Sequence, residues 1–135
     1  MKTSLDTNVC IAIIRGRDPV PRDRLERHDI ADVVISSIVY FELFTGATKS
    51  REPDRAINAL NRMIDRMQIV DFSRADAESA ATLRAQLESR GKAIGPLDTL
   101  IAGQALARGF AVATNNAREF GRVPGLRIED WLSPG

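Results

Sequence analysis

The sequence predicts one α/β domain spanning residues 1–135, with three α/β/α layers and a central, mostly parallel sheet of about five strands. Short runs rich in β-branched residues alternate with longer segments whose apolar residues recur every three or four positions. Residues that start and stop helices separate these segments. The length of 135 residues suits one hydrophobic core. This alternation is typical of parallel strands joined by right-handed helical crossovers.

Each predicted strand is short and apolar. The predicted strands are residues 1–6, 33–35, 69–72 and 110–114, with a weaker fifth at 126–128. The predicted helices cover residues 9–14, 38–45 (ended by Gly46), 53–67, the stretch from Ser73 to Gly91, and the stretch from Gly95 to Gly109. Residues 21–31 are charged and ambiguous, with a short helix through Leu25 as one interpretation.

Composition excludes several classes of protein. The net charge of +1 argues against nucleic-acid binding through bulk charge, although 16 of the 19 basic residues are arginine, which suits bidentate phosphate contacts. A GC-rich genome explains that excess equally well. The single cysteine, Cys10, allows no disulfide within the chain and no cysteine-based zinc site. We expect no membrane span and no signal peptide, and therefore a cytoplasmic protein.

Three acids occupy positions that are suited to chemistry. Asp6 follows the first strand and Asp98 lies in the first turn of a helix. Taken alone, helix capping is the simpler explanation of Asp6, and attraction to the helix dipole is the simpler explanation of Asp98. Glu42 is different, because the helix around it is apolar on nearly every side and is expected to be buried. A buried carboxylate needs a cation, which a metal ion or a distant arginine can supply.

A fourth segment, residues 114–120, follows the fourth strand and emerges at the same edge of the sheet as Asp6. A solvated turn is the simpler interpretation of this asparagine-rich segment. Clustered carboxylates repel one another unless divalent cations neutralise them, and oxygen ligands without His or Cys select Mg²⁺ or Mn²⁺. Such a site hydrolyses phosphodiester bonds with a metal-activated water.

Other chemistries have little support. His28, the only histidine, lies in a charged segment far from Ser36 and Ser37, so we expect a solvated loop residue and no Ser-His-Asp triad. The segment around Gly16 matches neither of the glycine-rich phosphate-binding motifs. Cys10 lies in an apolar helix without a neighbouring base and is expected in the core.

Four segments in this order resemble the motifs of PIN-domain ribonucleases, and most closely those of VapC toxins from bacterial type II toxin–antitoxin modules. Each motif is weak by itself, but the order and spacing match over nearly the whole chain. The segments are residues 5–8 (LDTN), 36–46 (SSIVYFELFTG), 95–102 (GPLDTLIA), and 114–120 (TNNAREF) with 123–126 (VPGL).

The resemblance implies a Mg²⁺-dependent endoribonuclease, in which Mn²⁺ can substitute. Asp6 and Asp98 would be the principal metal ligands, and Glu42 would complete the acidic cluster. Many PIN domains carry Asp where this chain has Asn116, which coordinates through its carbonyl oxygen but brings no charge; Glu119 would supply that charge as a further catalytic acid. Three residues are implied to position ligands or substrate: Thr7 and Thr114 through their hydroxyls, and Arg118 through phosphate, although a solvated salt bridge explains Arg118 equally well.

The resemblance also implies partners. These are an RNA substrate, with transfer RNA as a candidate, and a small VapB-like antitoxin that crosses the active-site groove. A toxin homodimer would enter a larger toxin–antitoxin complex that binds promoter DNA through the antitoxin. The predicted helix at 53–67 would serve the dimer, the antitoxin groove or the core. Two alternatives stay open: a non-catalytic module that binds RNA or protein, and a phosphatase with Asp6 as its nucleophile. The phosphatase class uses a second Asp two residues after the nucleophile as its acid and base, and Asn8 at that position counts against it.

Overall fold

The computed structural model describes residues 1–133, which form five strands and seven α-helices. In chain order these are β1 (Thr3–Leu5), α1 (Thr7–Arg15), α2 (Val20–Glu26), β2 (Val33–Ser36), α3 (Ser37–Thr48), α4 (Pro53–Ile64), β3 (Gln68–Val70), α5 (Arg74–Ser89), α6 (Pro96–Arg108), β4 (Ala111–Thr114), α7 (Ala117–Phe120) and β5 (Ile128–Asp130). A short 3₁₀ helix, Ile30–Asp32, precedes β2. None of the helices in this part of the chain is long and apolar enough to cross a membrane.

The sheet is fully parallel, in the order β3-β2-β1-β4-β5. The predicted α/β/α fold with five strands is therefore confirmed. Strand order reverses beside β1, because the chain first moves outward to β2 and β3 and later returns to β4. In such sheets ligands bind beyond the carboxyl ends of the strands at this reversal. Leu5 pairs with Ala113, and the Asp6 N–H donates to the Ala113 carbonyl at 3.0 Å, so β1 and β4 end side by side.

Two helix layers cover the sheet. Helices α1 to α4 contact one another, while α5 packs extensively on α6. Right-handed crossovers place the two groups on opposite faces. The core between the layers comes from β1, β2 and β4, which are buried along their whole length, and from Phe120 and Trp131, both fully inaccessible.

The residues predicted to begin and end the helices make the expected capping contacts. Side chains of Asp6 and Ser36 accept backbone N–H groups at the starts of α1 and α3. Ser73 and Asp76 form a reciprocal capping box at the start of α5. Gly16 and Gly109 close α1 and α6 with φ of 64° and 73°, in the left-handed region that favours glycine.

Three predicted boundaries are wrong. Helix α3 continues through Gly46 to Thr48, because Ala47 packs into the core and Gly46 keeps a negative φ. Helix α4 ends at Ile64, and Met67, predicted as its last turn, is buried in the turn beyond it. Strand β5 starts at Ile128 and not at residue 126, because the chain must first complete a turn through Gly125, where φ is 79°.

Candidate active site

Asp6 and Thr114 occupy the adjacent ends of β1 and β4. The Asp6 carboxylate is 4% exposed, and its Oδ1 accepts the Val9 N–H at 2.8 Å. The Thr114 hydroxyl accepts the Asn116 N–H at 2.8 Å and hydrogen-bonds to the Asp6 carboxylate. Burial raises the pKa of Asp6 above its usual value, and the hydrogen bonds from Thr114 and Val9 oppose that rise. Helix capping and a chemical role are therefore compatible at Asp6.

Glu42 reaches the same edge from α3. Its Oε1 accepts the Thr7 hydroxyl at 2.6 Å, which links the second turn of α3 to the first turn of α1. The prediction that this helix is buried on nearly every side is wrong, since Phe41 is 60% and Phe44 is 40% exposed. Only the face with Val39, Leu43 and Ala47 is buried, and Glu42 is half-buried at its border, so burial alone does not demand a cation.

Asp98 and Glu119 form the other side of the site. Asp98 is half-buried in the first turn of α6, and its pKa is raised to about 7 by burial, by a hydrogen bond with Glu119 and by repulsion from Glu119, Asp6 and Glu42. Glu119 accepts the Gly95 N–H on Oε1 and the Asn116 side-chain amide on Oε2, each at 2.5 Å. Donation from Gly95 is the largest cause that lowers the pKa of Glu119.

The cluster lacks compensating charge. Within residues 1–133 no Lys or Arg lies within 4 Å of a carboxylate oxygen of Asp6, Glu42, Asp98 or Glu119. Arg122 is near enough to lower the pKa of Glu119, although its guanidinium donates to the Ala93 carbonyl at 3.0 Å. An all-oxygen set of this kind fits Mg²⁺ or Mn²⁺ by its chemistry. Among the described residues, however, no three His, Cys, Asp or Glu side chains already form a metal-binding group.

The structure therefore brings together seven of the eight residues singled out in the sequence: Asp6, Thr7, Glu42, Asp98, Thr114, Asn116 and Glu119. The eighth, Arg118, is exposed on α7 and makes no polar contact with the rest of the described chain.

The Gly95 backbone is a part of the site that sequence reasoning missed. A Cβ at this position would lie 3.4 Å from Glu119 Oε1 and 3.5 Å from Asp98 Oδ2, so glycine lets both carboxyl groups approach the start of α6. The signal was the Gly-Pro pair, since proline has no N–H and the preceding glycine supplies the donor at this helix start.

The sequence also gave predictions for two residues outside the cluster, Cys10 and His28. Cys10 is fully buried, as predicted, and burial raises the pKa of its thiol. The prediction of a solvated His28 is wrong: its ring lies 4.9 Å from that of Trp131, and Nδ1 lies 2.9 Å from the Arg24 carbonyl oxygen. The imidazole is thus held between the Trp131 ring and Glu129, whose Oε1 lies 3.5 Å from Nε2.

Comparison with known proteins identifies the family of the chain. Residues 4–126 match the PIN domain family. The chain is 40% identical over 131 residues to the tRNA(fMet)-specific endonuclease VapC of Shigella flexneri, which covers 97% of this chain and 98% of that protein. It is 41% identical to the protein of the same name from Salmonella typhimurium, with the same coverage, and 37% identical to ribonuclease VapC2 of Haemophilus influenzae, covering 98% and 99%.

Solved structures show the same likeness. The crystal structure of DNA-bound VapBC from Salmonella typhimurium matches with a TM-score of 0.92 and 41% identity, over 97% of this chain and 98% of that one. VapBC2 from Rickettsia felis, bound to a promoter fragment, matches with a TM-score of 0.90 and 34% identity, over 97% and 99%. The family predicted from the four motifs is confirmed, and the chain belongs to the VapC group of PIN-domain proteins.

Proposed function

We propose that this chain is a divalent-metal-dependent endoribonuclease and the toxin of a toxin–antitoxin pair, acting in the cytoplasm as a single domain of residues 1–135. The observation that carries this proposal is the meeting of four carboxylates at one sheet edge, with no basic side chain paired to any of them within the described residues. The ribonuclease names of relatives that align over nearly their full length support the same activity.

Asp6, Glu42 and Asp98 would hold Mg²⁺. When bound, the ion would lower the pKa of a water molecule and stabilise the negative charge that develops on the phosphodiester. Thr7 orients Glu42 and Thr114 orients Asp6 through their hydroxyls. Asn116 donates its amide to Glu119, which leaves its carbonyl oxygen available as a further ligand. The pKa of Asp98 is raised by burial and by the neighbouring acids, and a bound cation would lower it by favouring the ionised carboxylate.

Transfer RNA is the proposed substrate, because two relatives at 40% and 41% identity are named tRNA(fMet)-specific endonucleases. We extend the same reasoning to the partners. Structures of VapBC proteins on DNA support a VapB-like antitoxin and a complex that binds promoter DNA. The toxin homodimer is proposed from the family resemblance alone. A groove of about 320 Å³ between α1, α3 and α4, with Glu42 on its wall, offers the antitoxin access to the acids.

The test is cleavage of total tRNA by the purified chain in Mg²⁺ or Mn²⁺, with fragment ends mapped. We expect cleavage to stop in a chelator, and Asp6→Asn and Asp98→Asn to lose on the order of a thousandfold in rate. Asp65→Asn is the matched control, because Asp65 is an exposed acid at the end of α4. RNA binding without turnover at saturating Mn²⁺ would identify a binding module instead, and an aspartyl-phosphate on Asp6 would identify a phosphatase.

A further inference from the structure

Three arginines at helix α4 face solvent. Arg55 and Arg62 are seven residues apart, which is two helical turns and about 10 Å along the axis, so they share one face. This face is turned away from Leu60, which packs into the core. Arg51 lies just before the helix and lines the same surface recess as Arg55. Arg51, Arg55 and Arg62 are called the α4 arginines below.

These guanidinium groups are available for a partner. Within residues 1–133, Arg51 and Arg62 form no ion pair and no hydrogen bond. Arg55 lies 3.3 Å from Glu52, but the two side chains are 84% and 68% exposed. An ion pair this exposed contributes little to stability and exchanges readily for another anion.

The α4 arginines flank the groove that contains Glu42. Ser50, Ala56 and Ala59 line this groove and also line the recess with Arg51 and Arg55, so the two depressions are continuous. Arg15 stands on the groove's α1 wall. A path therefore runs from the catalytic acids, through an apolar stretch, to a set of arginines.

The charge on α4 is asymmetric across this path. On α4, Ala59 lies on the side of the arginine face that borders the groove. Asp54 and Asp65 lie on the opposite side of that face. These two acids are thus turned away from the groove. Arg51 and Arg55 line the recess that continues it, together with the exposed Glu52. Ser50 adds an unused polar group here, since its hydroxyl is buried and has no hydrogen-bond partner within the described residues.

We propose that the α4 arginines bind backbone phosphates of a folded RNA at a distance from the bond that is cut, which rests on the proposed ribonuclease function. The acids of the site repel phosphate, and the net charge of +1 offers little general attraction, so the RNA needs a local cationic anchor. Arginine binds phosphate through two parallel N–H donors. Two such groups two helical turns apart, with Arg51 just before the helix, suit a regularly spaced phosphate backbone.

The test compares Arg55→Gln/Arg62→Gln with Arg74→Gln/Arg90→Gln. Both double variants remove two exposed positive charges, and Arg74 and Arg90 lie at the ends of α5 in the other helix layer. Binding of fluorescently labelled total tRNA is measured by anisotropy in a chelator, over a range of salt concentrations. For Arg55→Gln/Arg62→Gln we expect about tenfold weaker binding and a salt slope reduced by about 2, because about one counterion is released per phosphate contact.

Cleavage kinetics provide the second readout. In Mg²⁺ the Arg55→Gln/Arg62→Gln variant should raise KM for tRNA about tenfold at unchanged kcat, while the control pair behaves like the wild type. If the variant matches the control in KM and in salt slope, the proposed surface is wrong although the nuclease stands. Weakened binding of the antitoxin with unchanged tRNA binding would assign the arginines to a protein partner and likewise overturn the proposal. A wild-type chain that neither binds nor cuts tRNA would overturn the proposed function itself.

Discussion

Asp98 and Glu119 bring their carboxyl groups together at the start of α6, where a Cβ on Gly95 would lie 3.5 Å from Asp98 Oδ2 and 3.4 Å from Glu119 Oε1. The pKa of Asp98 is raised to about 7, first by burial and then by Glu119, whereas the Gly95 N–H holds the pKa of Glu119 below its usual value. The two neighbouring carboxyl groups therefore differ in pKa, since that of Asp98 is raised and that of Glu119 is lowered. Unequal environments of this kind distinguish paired acids chemically.

The first prediction concerns pH and stability. Between about pH 4 and 7 the folded state keeps a proton on Asp98 that the unfolded chain releases, so the free energy of unfolding falls as pH rises across this window. Asn does not ionise, so Asp98→Asn should keep its free energy of unfolding as the pH rises. The variant should be more stable than the wild type by about 1–2 kcal/mol at pH 8 and equal to it near pH 4. Thermal unfolding without metal at the two pH values measures the difference, with Asp65→Asn as the control.

A second prediction concerns metal binding. If Asp6, Glu42 and Asp98 hold the ion, Mn²⁺ should raise the Tm of the wild type at pH 8, because a ligand that binds only the folded state stabilises it. Asp98→Asn should lose this increase while keeping its higher metal-free Tm. An equal Mn²⁺ effect on wild type and variant would place the ion elsewhere.

Asn116 provides the third prediction. Its amide donates to Glu119 Oε2, so Asn116→Ala frees one carboxylate oxygen without removing an acid. Loss of such a supporting contact typically costs about tenfold to a hundredfold in activity or in metal affinity. We expect a tenfold lower cleavage rate with an unchanged Tm. Asn116→Asp places a second negative charge against Glu119 and should be slower than the wild type at low Mg²⁺. A wild-type rate for Asn116→Ala would show that Glu119 needs no support.

The fourth prediction compares two helical glycines. A Cβ on Gly103 would overlap the backbone of Ala80, where α5 and α6 pack closely, and Ser79 donates to the Gly103 carbonyl at 2.7 Å. Gly103→Ala should therefore lower the free energy of unfolding by about 2–3 kcal/mol. Gly46 in α3 has open space around it, so Gly46→Ala should raise stability by about 0.5–1 kcal/mol. Urea unfolding measures both, and destabilisation by both substitutions would contradict the helix packing.

The last prediction concerns the ring pair at the C-terminal side of the sheet. His28 covers Trp131, whose indole N–H donates to Glu129 at 3.0 Å. His28→Ala should cost about 1–2 kcal/mol and shift the emission of Trp131, the only tryptophan, to longer wavelength. His28→Phe keeps an aromatic face on the indole and should restore most of the emission. No shift in His28→Ala would mean that the other side chains around Trp131 keep water from the indole without the imidazole ring.

Much of the site was predictable because its residues carry local signals. Asp6 is both the cap of α1 and an acid at a strand end, and the Gly95-Pro96 pair marks the start of the helix that bears Asp98. The apolar character of α3 was misleading, because a helix at the surface of this domain exposes Phe41 and Phe44. Hydrophobicity reports what a side chain prefers, whereas exposure depends on which neighbours the fold provides.

By itself the sequence determined the order and type of the elements, the parallel sheet, and the four acids that lie after its strand ends or within the helices that follow them. These depend on periodicity, capping residues and β-branched runs, which act over a few neighbouring residues. Only the tertiary structure decided that Asp98 and Glu119 meet beside Gly95, that Asn116 and Gly95 donate to Glu119, and that His28 packs on Trp131. Each of these contacts depends on distances of a few ångströms between side chains on different elements. Those distances are set only when the elements pack around the core.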